Sequence, residues 1–152
     1  MNKNFMPISI DISSRKILII GGGLSAFKKL KILQRFNAEV EVLAKEVCPE
    51  IKESGVRSFE TEYHNKFLPG YLMLYSCTNN EELDHQILHD AQAAGVLVNI
   101  HDKPAFCEFV SPAIYKNENV SVAVSSNGEN VYESIRIRNL IQNYLQQKEN
   151  QI

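Results

Sequence analysis

Three glycines and a later small residue, Gly21-Gly22-Gly23-Leu24-Ser25-Ala26, fit the pattern G-x-G-x-x-A. The chemistry such a run supports is the cradling of a pyrophosphate. Gly21 permits a tight turn, Gly23 lets the backbone approach the anion, and Ala26 lets a helix pack closely on a sheet with its N-terminal N–H groups facing the charge. A glycine-rich strand-to-helix turn without a ligand is the bland alternative. The second point of interest is His101-Asp102, directly after an apolar run and before Lys103-Pro104. A carboxylate at a strand end can accept a proton, but an aspartate ahead of a proline-containing turn more commonly caps loop N–H groups. On these local residues alone, capping is the stronger reading.

Other candidates carry less. His85 and His89 are four apart, so a helix would present both on one face, yet no third ligand stands nearby and no metal is expected. Lys28, Lys29, Lys31 and Arg35 could steer an anion or simply cover a solvated helix face. Ser13, Ser125 and Ser126 lack the His and Asp partners of a hydrolase. Cys48, Cys77 and Cys107 are odd in number and form no C-x-x-C, which points to reduced core thiols rather than disulfides or zinc. An acidic residue about 20 positions beyond the glycines would mark NAD. Glu41 has the count but sits mid-strand, whereas the strand end reads Leu43-Ala44-Lys45, and Lys45 would equally suit the extra phosphate of NADP.

The elements that must position these residues follow from periodicity. Lys16 to Ile20 reads as a strand, and Ser25 to Phe36 as a helix with Ala26, Leu30 and Leu33 on its buried stripe. Ala38 to Leu43 and Val56 to Phe59 read as strands, with Pro49 and Gly55 punctuating the chain between them. Tyr71 to Cys77 is a further strand. Thr78 or Asn79 is then expected to cap a helix that buries Leu83, Ile87, Ala91 and Ala94 and ends at Gly95, and Val96 to Ile100 is the next strand. Such alternation specifies an α/β fold, a Rossmann-like parallel sheet with helices on both faces.

Beyond Asp102 the rhythm changes. Loops around Pro104 and around Ser111-Pro112 precede a strand-like Val120 to Val124 and a helix from about Tyr132 to Gln147. That helix carries Ile137, Ile141 and Tyr144 on one stripe, with Leu140 beside it. The expected division is a nucleotide-binding domain over residues 1–115 and a C-terminal strand-helix segment over 116–152. The 152 residues, 44% hydrophobic, suffice for one sizeable core. A net charge of −2 and no basic, aromatic-interleaved run argue against nucleic acid as a partner. No apolar stretch reaches the roughly 20 residues of a membrane span, and the N-terminus lacks a signal-peptide core, so a cytoplasmic protein is expected.

Taken together, the segments resemble the N-terminal module of siroheme synthases, the precorrin-2 dehydrogenase and sirohydrochlorin ferrochelatase family. The marks are Met6-Pro7-Ile8, Ile19-Ile20-Gly21-Gly22-Gly23, Lys28-Lys29, Ala38-Glu39-Val40-Glu41-Val42 and Cys77-Thr78-Asn79-Asn80. The most specific is Val98-Asn99-Ile100-His101-Asp102-Lys103-Pro104, continued by Phe109, Ser111-Pro112-Ala113-Ile114 and Val122-Ala123-Val124-Ser125-Ser126. The resemblance implies NAD-dependent oxidation of precorrin-2 to sirohydrochlorin with Asp102 as the catalytic residue, which reverses the local reading of that aspartate. It implies cofactor contacts at Gly21, Gly22, Gly23, Leu24, Ser25, Ala44, Thr78 and Asn79, and tetrapyrrole contacts at Asn99, His101 and Ser126. It also implies a homodimer joined through the C-terminal segment, and, for members that insert metal, Fe2+ or Co2+ as a further substrate. The chain departs from the family pattern after Ser126, where it reads Asn127-Gly128-Glu129-Asn130-Val131 and has Ile135 in place of a frequent arginine. It is expected to lack the further helical and methyltransferase domains of longer relatives. Two other readings compete: a non-catalytic nucleotide-binding module on the same fold, and a chelatase that does not use NAD.

Overall fold

Five short runs of aliphatic residues build a parallel sheet, because each is followed by a polar connection long enough to return the chain to the starting edge. The computed structural model describes residues 3–150. Strands β1 (Lys16–Ile20), β2 (Glu39–Ala44), β3 (Arg57–Glu60), β4 (Tyr71–Ser76) and β5 (Leu97–Ile100) lie in the order β3-β2-β1-β4-β5, all neighbours parallel. The order reverses at β1, so the crevice outside the carboxyl ends of β1 and β4 is the place where such sheets bind ligands.

Helix α1 (Leu24–Gln34) buries Ala26, Leu30 and Leu33, the expected stripe, against Ile17, Ile19, Val42, Met73 and Tyr75. Alternation along the strands sends Leu18, Ile20, Leu43, Leu74 and Ser76 to the opposite face, where α3 (Glu81–Ala94) packs. The cap of α3 is Asn80, whose side chain accepts the Leu83 amide at 3.1 Å, rather than Thr78 or Asn79. The Thr78 hydroxyl instead accepts the Asn80 amide at 3.2 Å and donates to Asp84 at 2.8 Å. Gly95 ends the helix in the left-handed region, as its lack of a side chain allows. The buried positions of α3 are Asp84, Ile87 and Ala91, while Ala94 is exposed and Leu83 only half-buried. A carboxylate therefore occupies the place the apolar pattern gave to a leucine. A short helix α2 (Pro49–Glu53), which the sequence shows only as a proline, forms because Pro49 is pre-set for a first helical turn and Ile51 buries against the α1 face.

The chain divides into two compact units. One spans Ile10–Phe109, and the other combines the N-terminal residues through Ser9 with Val110 onward. In the second unit a further strand, β6 (Ala113–Asn117), pairs with β7 (Val120–Val124) in an antiparallel hairpin. That strand goes unread in the sequence, since Ser111-Pro112 reads as loop and its pairing needs a tight turn at Glu118, which takes φ 48°. Helix α4 (Val131–Glu149) packs on both hairpin strands. Ile137 and Ile141 are half-buried there, whereas Tyr144 and Leu140 face outward, so the expected stripe is split. Within this unit Asn127 accepts the Phe5 amide at 2.7 Å and donates to the Lys3 carbonyl at 2.9 Å. Asn130 caps α4 by accepting the Glu133 amide. The Asn127–Val131 departure from the family pattern is therefore a stapled turn and a helix cap.

Candidate active site

The glycine turn is locked to the sheet by backbone bonds. The Gly21 amide donates to the Leu43 carbonyl at 2.9 Å, the Cys77 amide to Ile20 at 2.7 Å, and the Cys48 amide to Gly22 at 2.8 Å. Gly21 has φ +129°, and a side chain there would land on the Cys77 carbonyl; one on Gly22 would strike the Glu46 carbonyl and press Ala44. These two glycines are required by the protein itself. Gly23 is different: it has an ordinary φ of −93°, and a side chain built there meets nothing within 4 Å. As the N-cap of α1 it offers no side chain to the first-turn amides of Leu24, Ser25 and Ala26. An open cradle over unpaired helix amides is the arrangement a pyrophosphate fits.

Ala44, at the end of β2, lies beside Gly22, and Thr78 and Asn79 follow β4, so the expected cofactor residues share one sheet edge. Asn79 is exposed and takes φ 54°. Glu41 lies elsewhere. It is mid-strand and 5% exposed, and it accepts from Lys16 Nζ at 3.1 Å, Arg57 at 3.4 Å and the Tyr71 hydroxyl. Burial pushes its pKa up, but the bonds from Tyr71 and Lys16 and the charges of Lys16 and Arg57 outweigh this and hold it below the ordinary value. Glu41 is thus a structural carboxylate and not a ribose ligand. Lys45 pairs with Glu62 at 2.9 Å on the surface.

Beyond β5, the His101 amide donates to the Ser76 carbonyl at 2.9 Å, carrying the sheet ladder one residue past the strand. Asp102 then turns the chain in the left-handed region, φ 59°, which aspartate tolerates better than most residues. Its side chain is 85% exposed and 3.4 Å from His101 Nε2. No backbone N–H bond to this carboxylate is present among the described residues. Asn99 is buried, and its Nδ2 donates to the Phe109 carbonyl at 2.9 Å, leaving Oδ1 as its remaining acceptor. Phe109 meets Tyr75 edge to face at 5.2 Å.

Lys29 departs from the other basic residues of α1. It is half-buried, with its ammonium 4.7 Å from the centre of the Tyr75 ring, and burial lowers its pKa. Burial raises the Cys77 thiol to about 11, which leaves it a neutral, inert group at pH 7. Cys77 and Cys107 are buried and free, and Cys48 is half-buried. His85 stacks edgewise on Phe106 at 4.9 Å, and His89 is exposed next to Asp90. Ser126 belongs to the second unit, where its hydroxyl accepts the Asn130 amide at 3.0 Å.

Sequence reasoning missed Asp84. It accepts from Ser76 Oγ at 2.7 Å, Thr78 Oγ1 at 2.8 Å and Lys103 Nζ at 3.1 Å, and so ties together two loops of this edge. The signal was present: positions 84, 87 and 91 share a helical stripe, and a carboxylate on a buried stripe needs partners.

A parallel sheet with an open, anion-ready glycine turn at its reversal point defines a dinucleotide-binding domain of the Rossmann type. Residues 8–113 match the family model described as "Putative NAD(P)-binding". The chain belongs to this family. A siroheme synthase of Photorhabdus laumondii is 30% identical over 83% of the chain, and one of Psychrobacter arcticus is 35% identical over 83%. The chain spans only 28% and 24% of the length of these two relatives. Among solved structures, "SirC, precorrin-2 dehydrogenase" superposes with a TM-score of 0.71 at 20% identity, covering 92% of this chain and 71% of that one. That likeness shares the fold. Among the described residues, no helix is long and apolar enough to cross a membrane.

Proposed function

We propose that the chain is an NAD-dependent precorrin-2 dehydrogenase, removing a hydride and a proton from the macrocycle to give sirohydrochlorin. The observation that carries this reading is the pairing, on one sheet edge, of an exposed Asp102 carboxylate on a left-handed turn with a glycine turn open at Gly23. The names of the siroheme synthases and of the dehydrogenase that share the sequence and the fold support the same chemistry.

In this reading Gly21, Gly22 and Gly23 and the amides of Leu24 and Ser25 hold the pyrophosphate, while Ala44, Thr78 and Asn79 line the remainder of the dinucleotide site. The oxidised nicotinamide, when bound, supplies the hydride acceptor. NAD is the acceptor in this reading, and Lys45, whose exposed pairing with Glu62 is weak enough to be given up to a 2′-phosphate, makes NADP the comparison to run. Asp102 accepts the proton lost by the macrocycle, with the His101 ring 3.4 Å from its carboxylate. Asn99 Oδ1 contacts the tetrapyrrole. The active form is a homodimer joined through residues 120–145.

The test is to mix purified chain with precorrin-2 and either NAD or NADP and follow the absorbance of the reduced nicotinamide and of sirohydrochlorin. Equal growth of both products with NAD supports the reading. Nucleotide binding without either product would identify a non-catalytic module, and metal insertion without NAD a chelatase.

A further inference from the structure

The residue on which the proposed chemistry depends has almost nothing holding its own side chain. Asp102 is exposed, so the direction of its carboxylate is set by the backbone of its turn, and that backbone is fixed through the next residue. Lys103 is held at three points. Its amide donates to the Ile100 carbonyl at 3.2 Å, and its carbonyl accepts the Phe106 amide at 3.0 Å and the Cys107 thiol at 3.3 Å. Its ammonium reaches Asp84 Oδ2 at 3.1 Å.

Asp84 is well made to be the other end of this tether. It is 7% exposed and sits in the first turn of α3, where the helix N-terminus favours a negative charge. Its second oxygen takes the hydroxyls of Ser76 and Thr78, so the carboxylate stays satisfied and immobile. One rigid carboxylate thereby joins the end of β4, the Thr78 turn on the nucleotide side, and the turn that presents Asp102.

We propose that Asp84 and Lys103 are a positioning pair whose charge-assisted bond fixes the Asp102 turn, so that its carboxylate is aimed before the macrocycle arrives. This inference rests on the reading of Asp102 as the proton acceptor. Neither residue of the pair touches substrate; both act through the turn. Because a displacement of about an ångström in a reacting group costs on the order of 100-fold in rate, loosening the turn lowers turnover without weakening ground-state binding.

The experiment compares the wild type with Lys103→Met and Lys103→Arg. The methionine keeps the apolar stem and leaves Asp84 its two hydroxyl donors, which preserves the fold; arginine restores the charge. Amide hydrogen exchange over residues 101–107 should quicken by roughly 10-fold or more in Lys103→Met and return towards wild type in Lys103→Arg. In turnover of precorrin-2 with NAD, kcat should fall roughly 10- to 100-fold in Lys103→Met, with KM and NAD affinity within a fewfold, and recover most of that loss in Lys103→Arg. Wild-type exchange in a folded Lys103→Met protein overturns the inference. So does a loss of kcat that arginine fails to restore, or normal kcat alongside an inactive Asp102→Asn. If the wild type does not oxidise precorrin-2 at all, the reading of Asp102 falls, and the exchange measurement alone decides whether this pair holds the turn.

Discussion

Two glycines of the same turn should respond to substitution in opposite ways. Gly23→Asp places a carboxylate at the N-cap of α1, at φ −93° and with no atom within 4 Å of the new Cβ. Aspartate is a better N-cap than glycine by a few tenths of a kcal/mol, and a negative charge at a helix N-terminus adds about 0.3–1 kcal/mol. The apo protein should therefore gain about 0.5–1.5 kcal/mol, a rise in Tm of roughly 1–6 °C for a chain of this size. The same carboxylate would stand where the pyrophosphate binds. Two unit charges about 4 Å apart at an effective dielectric constant near 20 repel by about 4 kcal/mol, which predicts a loss of NAD affinity of roughly 100- to 1,000-fold. Gly21→Ala is the control. Its φ of +129° strains any L-residue by about 1–3 kcal/mol, and the new methyl group collides with the Cys77 carbonyl, so the fold itself should weaken. Thermal unfolding without ligand and calorimetric titration with NAD measure both quantities. A folded Gly23→Asp protein that binds NAD normally would refute the placement of the pyrophosphate. A Gly21→Ala protein as stable as wild type would refute the account of the turn.

Asp102→Asn keeps the shape of the side chain but removes its charge and basicity, so turnover should drop by roughly 100- to 10,000-fold with NAD affinity little changed; a fewfold drop would unseat Asp102 as the base. Glu41→Gln should cost about 1–3 kcal/mol at pH 7, because Lys16 and Arg57 lose a buried partner. Since the folded pKa of Glu41 is lowered, its contribution is present above its unfolded value of about 4.3 and lost as pH falls through the lower folded value. The stability gap between wild type and Glu41→Gln, read from denaturant midpoints, should accordingly close in acid; a gap that persists below both values would contradict the assignment. Leu140→Glu with Tyr144→Glu places charges at exposed apolar positions of α4, and sedimentation should show a dimer become a folded monomer. A wild type that is already monomeric would remove the proposed interface.

Much of the fold was legible because it depends on local patterns. The run Lys16–Ile20, the stripe Ala26-Leu30-Leu33 and the closing Gly95 each obey a period or a backbone requirement that neighbouring residues express on their own. The glycine turn was legible for the same reason, since glycine spacing encodes backbone shape directly. Where a residue's meaning lay in distant partners, the sequence was mute or misleading. Glu41 had the count of a ribose ligand, and only the register of β2 against β1, β3 and β4 turned it into the acceptor of Lys16, Arg57 and Tyr71. Asp84 read as one more acidic residue in a helix first turn until the sheet brought Ser76, Thr78 and Lys103 to its carboxylate. Strand β6 went unseen because a short strand next to a proline is stabilised by its pairing with β7 rather than by its own composition. Asp102 shows the divide most clearly. Locally it resembles a capping aspartate, yet among the described residues no backbone amide bonds to its 85% exposed carboxylate, and the turn beneath it is tied through Lys103 to Asp84.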